Sequence, residues 1–156
     1  MERGEDMKRI FIDIDKCTGC LNCAVACMQS HRSDEGNVYT INLTDTENES
    51  RNFKKLDKDG RIIPIFCRHC THPECVMSCM SGALTKDEET GHIHYDEEKC
   101  GSCFMCVMNC PFGVPKPDRK TNTKVIRCDF CKDDPEGPNC VRQCPAKAIY
   151  IKEVSS

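Results

Sequence analysis

All cysteine in this 156-residue chain is confined to four short runs, and together they hold sixteen residues of it. The runs are Cys17, Cys20, Cys23, Cys27; Cys67, Cys70, Cys75, Cys79; Cys100, Cys103, Cys106, Cys110; and Cys128, Cys131, Cys140, Cys144. The first and third are spaced C-x2-C-x2-C-x3-C. The second and fourth lengthen the middle gap to four and eight residues. Such a chain must fold around whatever its sulfurs hold. Disulfides are one answer, but they need an oxidising compartment. The charged start, Met1 to Arg9, carries no apolar signal region, twin-Arg signal or spanning helix. The expectation is a cytoplasmic chain with reduced, metal-binding thiols and no direct membrane anchor.

Composition supports a metal-built core. Hydrophobic residues are 38%, aromatic residues 6%, and Trp is absent, which leaves little for ordinary side-chain burial. The third run ends in Cys110-Pro111, and C-x2-C-x2-C-x3-C-P is the run that holds a [4Fe–4S] cluster in bacterial ferredoxins, its last Cys serving the other cluster. Sites of four cysteines also bind zinc. Zinc sites, however, are commonly two separated C-x2-C knuckles, whereas here every run carries a further Cys four residues after the third. The formal net charge is −3, which gives no reason to expect a nucleic-acid partner.

Along the chain, alternation predicts a strand over 10–14 and a helix from Cys23 through Cys27. An i, i+4 pair shares a helical face, so each run's last two cysteines are expected on one face. Residues 33–60 form a polar insertion, with a candidate strand over 38–43, otherwise loop, and a turn at 57–60; long loops of this kind can dock a partner. Strands are predicted over 61–66, with Pro64 marking an edge, and over 123–127 and 148–151. A strand-turn-strand fills 81–96, and 112–120 is too rich in Pro and Gly for a helix.

The fourth Cys of each run faces a neighbouring metal core, so the runs exchange ligands in pairs, and three pairings are conceivable. The 20-residue strand-turn-strand between the second and third runs favours joining those two, which leaves the first with the fourth. The ligand sets become Cys17, Cys20, Cys23, Cys144; Cys67, Cys70, Cys75, Cys110; Cys100, Cys103, Cys106, Cys79; and Cys128, Cys131, Cys140, Cys27.

The stretches Cys-Thr-Gly-Cys-Leu-Asn-Cys at Cys17, Cys-Arg-His-Cys at Cys67, Met-Ser-Gly-Ala-Leu at Met80 and Cys-Asp-Phe-Cys at Cys128, with the third run, resemble the four-cluster electron-transfer subunits of molybdopterin oxidoreductases. These include the β subunits of dimethyl sulfoxide reductase and formate dehydrogenase. The look is closest to the iron–sulfur subunit associated with carbon monoxide dehydrogenase and to hydrogenase-linked polyferredoxins. The resemblance covers about Ile10 to Ile151. It implies nested pairing and an α+β fold of two pseudo-repeated bacterial-ferredoxin-like halves, with short helices and short antiparallel strands. One half is 1–60 plus 112–156, with the insertion at 33–60; the other is 61–111.

The expected function is a non-catalytic electron-transfer subunit carrying four [4Fe–4S] clusters. It would relay single electrons between a catalytic redox-enzyme subunit and a second carrier, a ferredoxin or flavoprotein. A free-standing polyferredoxin is the alternative, and a structural zinc protein a remote one. No nucleotide fingerprint, nucleophile elbow or acid–base dyad is present. Met77, Met80, Met105 and Met108 are expected as soft packing around the metal sites, and Phe104, Phe112 and Phe130 as shields. His69 and His72 are expected in hydrogen-bonding or surface roles, and Lys116, Arg119, Lys120 and Lys124 as a solvated basic strip.

Overall fold

A computed structural model describes residues 7–46 and 48–154. The charged stretch 1–6 and the terminal Ser156 lie outside the described residues. The elements in order are β1 (Met7–Ile12), α1 (Asn22–His31), β2 (Phe53–Leu56), β3 (Ile62–Ile65), α2 (Glu74–Met77), β4 (Leu84–Lys86), β5 (Ile93–Tyr95), α3 (Met105–Asn109), β6 (Lys116–Pro117), β7 (Val125–Ile126), α4 (Asn139–Arg142) and β8 (Ile149–Val154). This is a small α+β fold of short elements.

The strands make four antiparallel pairs: β1 with β8, β2 with β3, β4 with β5, and β6 with β7. An isolated two-stranded ribbon is marginal in water, so each pair must lean on something else. The β1–β8 ribbon joins the two ends of the described chain through six residue pairs, from Met7 opposite Val154 to Ile12 opposite Ile149. Phe11 and Tyr150 face each other in that register with ring centres 5.9 Å apart. The Asp13 N–H donates to Ala148 O at 2.7 Å and carries the ribbon to the first cysteine loop. The β4–β5 ribbon is shorter, with three pairs. Helix α1 packs on α4, and α2 on α3.

Two small clusters of buried side chains result. Ile10, Phe66, Phe130, Ala148 and Ile149 gather with Cys23, Cys140 and Cys144. Leu84, Ile93 and Val125 gather with Cys106, flanked by Phe104 and Tyr95. Cysteines are therefore members of both cores. The two regions touch through β1. The Arg9 guanidinium donates to Thr71 Oγ1 at 2.7 Å, and the His92 ring contacts Lys8 O at 3.1 Å.

Several sequence expectations are corrected. β1 begins three residues earlier than the alternation at 10–14 implies and stops at Ile12, because Met7 is already paired with β8. The segment 38–43 is no strand. Val38–Thr40 forms a single 3-10 turn, started by the Asn37 side chain accepting from the Tyr39 N–H at 3.0 Å. The insertion is not loop throughout, since β2 pairs with β3 across the turn at Asp57–Gly60. Only α1 is long enough to hold both of its run's last cysteines. In the other runs the helix stops before Cys79, Cys110 or Cys144.

Candidate metal centres

Each run places its third cysteine at the second residue of a helix: Cys23 in α1, Cys75 in α2, Cys106 in α3 and Cys140 in α4. The following residue's backbone N–H (of Ala24, Val76, Val107 or Val141) donates to the carbonyl of Leu21, Pro73, Phe104 or Pro138 and lies near enough to that sulfur to favour its thiolate in all four cases. The approach to the helix differs. In the first and third runs Leu21 and Phe104 precede the helix at φ 61° and 56°, so the backbone doubles back within two residues. In the second and fourth runs the inserted residues end on Pro73 and Pro138 in extended conformation. Gly19, at φ 72°, sits in the first loop against β3. A Cβ there would meet Ile62 O at 3.2 Å, so the loop can lie this close only with glycine.

Cysteines of different runs converge. Cys17, Cys20, Cys23 and Cys144 line one cavity, closed by Pro64, Pro145 and Ile149. Cys27, Cys128, Cys131 and Cys140 line a second, with Ile10, Phe66 and Phe130. Cys67, Cys70, Cys75 and Cys110 line a third, with Phe112, Val114 and Arg127. Cys106 has Cys79, Cys100 and Cys103 as the sulfurs near enough to raise it. A wider groove of about 510 Å3 between β1 and the β2–β3 hairpin contains no cysteine.

All sixteen thiols are free. Burial pushes Cys23 and Cys75 up to about 11. Burial likewise raises Cys128 and Cys140, reinforced by neighbouring sulfurs, Cys67 acting on the one and Cys27 on the other. Several thiolates in one apolar pocket therefore need a compensating cation. A multi-iron core supplies that charge and binds thiolate, so the donor set fits an iron–sulfur cluster. Cys79 runs the other way. Burial would raise it, but the hydroxyl of Ser81 and backbone N–H groups lower it.

Polar groups other than the cysteines close on the sulfurs. The Arg51 N–H donates to Cys27 Sγ at 3.2 Å, the Phe130 N–H to Cys128 Sγ at 3.4 Å, and Arg127 Nη2 to Cys67 Sγ at 3.4 Å. His31 lies one turn after Cys27. Its Nδ1 is 2.9 Å from Cys27 O and its Nε2 is 3.0 Å from Asp129 Oδ1. Burial would lower His31, but the Asp129 carboxylate and the Cys27 sulfur together more than offset it and hold the ring near 9. His31, Asp129 and Cys131 bring their ligand atoms within 4.8 Å of one another. The sequence reading missed Arg51, Arg127 and the His31–Asp129 pair. The i, i+4 step from Cys27 to His31 was a usable signal; the other partners are long-range.

The remaining expectations fare unevenly. Phe130 is buried and Phe112 and Phe104 are half-buried beside cysteines. His92 stacks on Phe130 with ring centres 4.1 Å apart, and His69 meets Phe130 edge-on at 5.8 Å. His69 is 1% exposed. Its Nδ1 accepts the Ile93 N–H at 2.9 Å, and burial drives it down to about 3. His72 is exposed. The methionines are a correction: Met77, Met80 and Met108 point into solvent, Met80 at 87% exposure, because α2 and α3 present Met77 and Met108 outward and Met80 falls in the turn after α2. Lys116 is a second correction. It is half-buried, and its ammonium donates to Ser50 O at 2.6 Å and Asn52 O at 2.8 Å. It pins the polar insertion to β6 rather than facing water. Arg119 and Lys124 pair with Glu49 and Glu97.

Among the described residues no helix is long and apolar enough to cross a membrane. The family of 4Fe-4S dicluster domains matches residues 59–154. The chain is 31% identical to the putative electron transport protein YsaA of Escherichia coli K12, over 93% of its own length and 89% of that protein. It is 32% identical to the B subunit of anaerobic dimethyl sulfoxide reductase from the same strain, over 89% of its own length and 70% of that subunit. It is 30% identical to the hydrogenase-2 operon protein HybA of Escherichia coli O157:H7, over 91% of its own length and only half the length of that protein.

Proposed function

This protein belongs to the 4Fe-4S dicluster domain family, and on that premise we propose that it is the electron-transfer subunit of an oxidoreductase complex, carrying four [4Fe–4S] clusters and no catalytic site of its own. The observation that carries this reading is that each of three cavities is lined by four cysteines drawn from two runs, with Cys79, Cys100 and Cys103 the sulfurs that act on Cys106.

The ligand sets are Cys17, Cys20, Cys23, Cys144; Cys67, Cys70, Cys75, Cys110; Cys100, Cys103, Cys106, Cys79; and Cys128, Cys131, Cys140, Cys27. The nested division has the same support. β1 pairs with β8 and α1 packs on α4 around the first and fourth runs; β4 pairs with β5 and α2 packs on α3 around the second and third. The protein's residues hold the thiolates in place, aim N–H groups at them and keep water away with Phe66, Phe112 and Phe130. When bound, a cluster supplies one-electron storage and transfer. Sixteen free thiols suit a reducing compartment such as the cytoplasm.

The partners of this reading are a catalytic subunit, of the carbon monoxide dehydrogenase, formate dehydrogenase, aldehyde oxidoreductase or hydrogenase kind, and a second carrier such as a ferredoxin or flavoprotein. The test is a reductive titration of the iron-loaded protein followed by electron paramagnetic resonance. About four electrons per chain are expected, one per cluster. Uptake of about two or none contradicts the four-cluster reading. Isolation from the native source distinguishes subunit from free carrier: co-purification with a redox enzyme supports the former, and a protein that emerges alone contradicts it.

A further inference from the structure

Arg127 is 3% exposed and stands immediately before Cys128. Its Nη2 donates to Cys67 Sγ at 3.4 Å. Its Nε and Nη1 are buried with no partner, and among the described residues no carboxylate pairs with it. A buried guanidinium without an anion is costly, so something in the working protein must answer this charge. Arg127 lines the cavity of Cys67, Cys70, Cys75 and Cys110. Its chain neighbour Cys128 lines the cavity of Cys27, Cys131 and Cys140. After burial, Cys67 is the influence that most raises Cys128. The two cavities thus approach each other at Cys67 and Cys128, with the guanidinium wedged there. The Arg51 side chain fixes that corner by donating to Arg127 O at 2.8 Å.

We propose that Arg127 is a positioning residue for electron passage between the two halves, its buried charge favouring the reduced state of the cluster held by Cys67, Cys70, Cys75 and Cys110. This rests on the cluster assignment above. Reduction adds one electron and one negative charge to that cluster, while the guanidinium keeps its own charge and proton (an Arg side chain does not titrate in this range). The fixed cation is the anion's missing partner, and Nε and Nη1 are the donors left to meet it. The electron is therefore held more tightly at the crossing than the sulfur ligands alone would hold it.

The test is a redox titration of the iron-loaded full chain, monitored by electron paramagnetic resonance, for the native protein, Arg127→Gln and Arg127→Lys. In Arg127→Gln one cluster is expected to become at least tenfold harder to reduce, about 59 mV for one electron, with Arg127→Lys recovering most of the shift. If Arg127→Gln retains its iron and all four potentials hold within twofold in equilibrium, the inference is overturned. Should Arg127→Gln fail to assemble, native protein labelled with 15N in its guanidinium groups serves instead. A 15N coupling to a reduced cluster that vanishes in Arg127→Lys supports the inference, and no coupling overturns it. A preparation without iron and sulfide fails the proposed function, not this inference alone.

Discussion

The ribbon β1–β8 and the ribbon β4–β5 each close a pair of cysteine runs, but they do so at different depths. Around β1–β8, Cys23, Cys27, Cys140 and Cys144 are buried; around β4–β5 only Cys106 is, and the others are half-buried or exposed. The first ribbon is six pairs long and backed by the ten-residue α1; the second is three pairs long and backed by helices of four and five residues. The polar surroundings diverge as well. His31, Asp129 and Arg51 crowd Cys27, whereas Cys79 meets little more than Ser81 and backbone N–H groups. One ligand type is thus set in two environments. Burial and hydrogen bonds to the sulfurs are what tune iron–sulfur potentials, so the protein can grade its clusters without changing a ligand.

The largest effect should come from removing the metal altogether. Both cores contain cysteines, and burial raises several of the thiols in them, so binding energy becomes folding energy. Circular dichroism of the chelated, reduced chain should show loss of the cooperative transition in both regions. A β1–β8 region that still melts cooperatively would make that half self-supporting and break the symmetry further. Gradual chelation should strip iron from the β4–β5 side first, since Cys103 and most of its neighbours reach solvent.

Single ligand changes come next. Under the proposed ligand sets, Cys144→Ser should cost about a quarter of the iron and disturb the signal of the cluster assigned to Cys17, Cys20, Cys23 and Cys144. Cys110→Ser should do the same to the cluster proposed for Cys67, Cys70, Cys75 and Cys110. Spectra of the two variants should be complementary; the same signal lost in both would dissolve the two-region picture.

Core truncations follow, at about 2–5 kcal/mol each. Ile149→Ala empties the packing beneath β1–β8 and Leu84→Ala that beneath β4–β5; both are at most 5% exposed. Denaturant melts of the iron-loaded protein should register each, with faster iron loss confined to the truncated side. The smallest change should be Arg142→Ala, which removes ion pairs to Asp134 and Glu136 in the fourth run's loop. These carboxylates are partly exposed, so about 1 kcal/mol or less is expected.

The cysteine framework was legible because four runs with fixed spacings admit few geometries. β3, α1 and the β4–β5 turn also followed from local pattern. β2 did not, because all four of its residues are exposed and leave no alternation to read. The strand expected over 38–43 lost to the hydrogen bond that the Asn37 side chain accepts from the Tyr39 N–H. Lys116 looked like one solvated base among several; its partners Ser50 and Asn52 lie more than sixty residues away. Arg127 carried no local mark beyond its place before Cys128. The misses come from full exposure, a side-chain competitor or a long-range partner, and none of these leaves a period in the sequence.

Iron and acid-labile sulfide per chain test the central claim most directly. About 16 of each, in a brown protein, is the outcome that four [4Fe–4S] clusters require. About four zinc ions, no sulfide and no colour would contradict the account, and with it every electron-transfer role assigned to these cysteines.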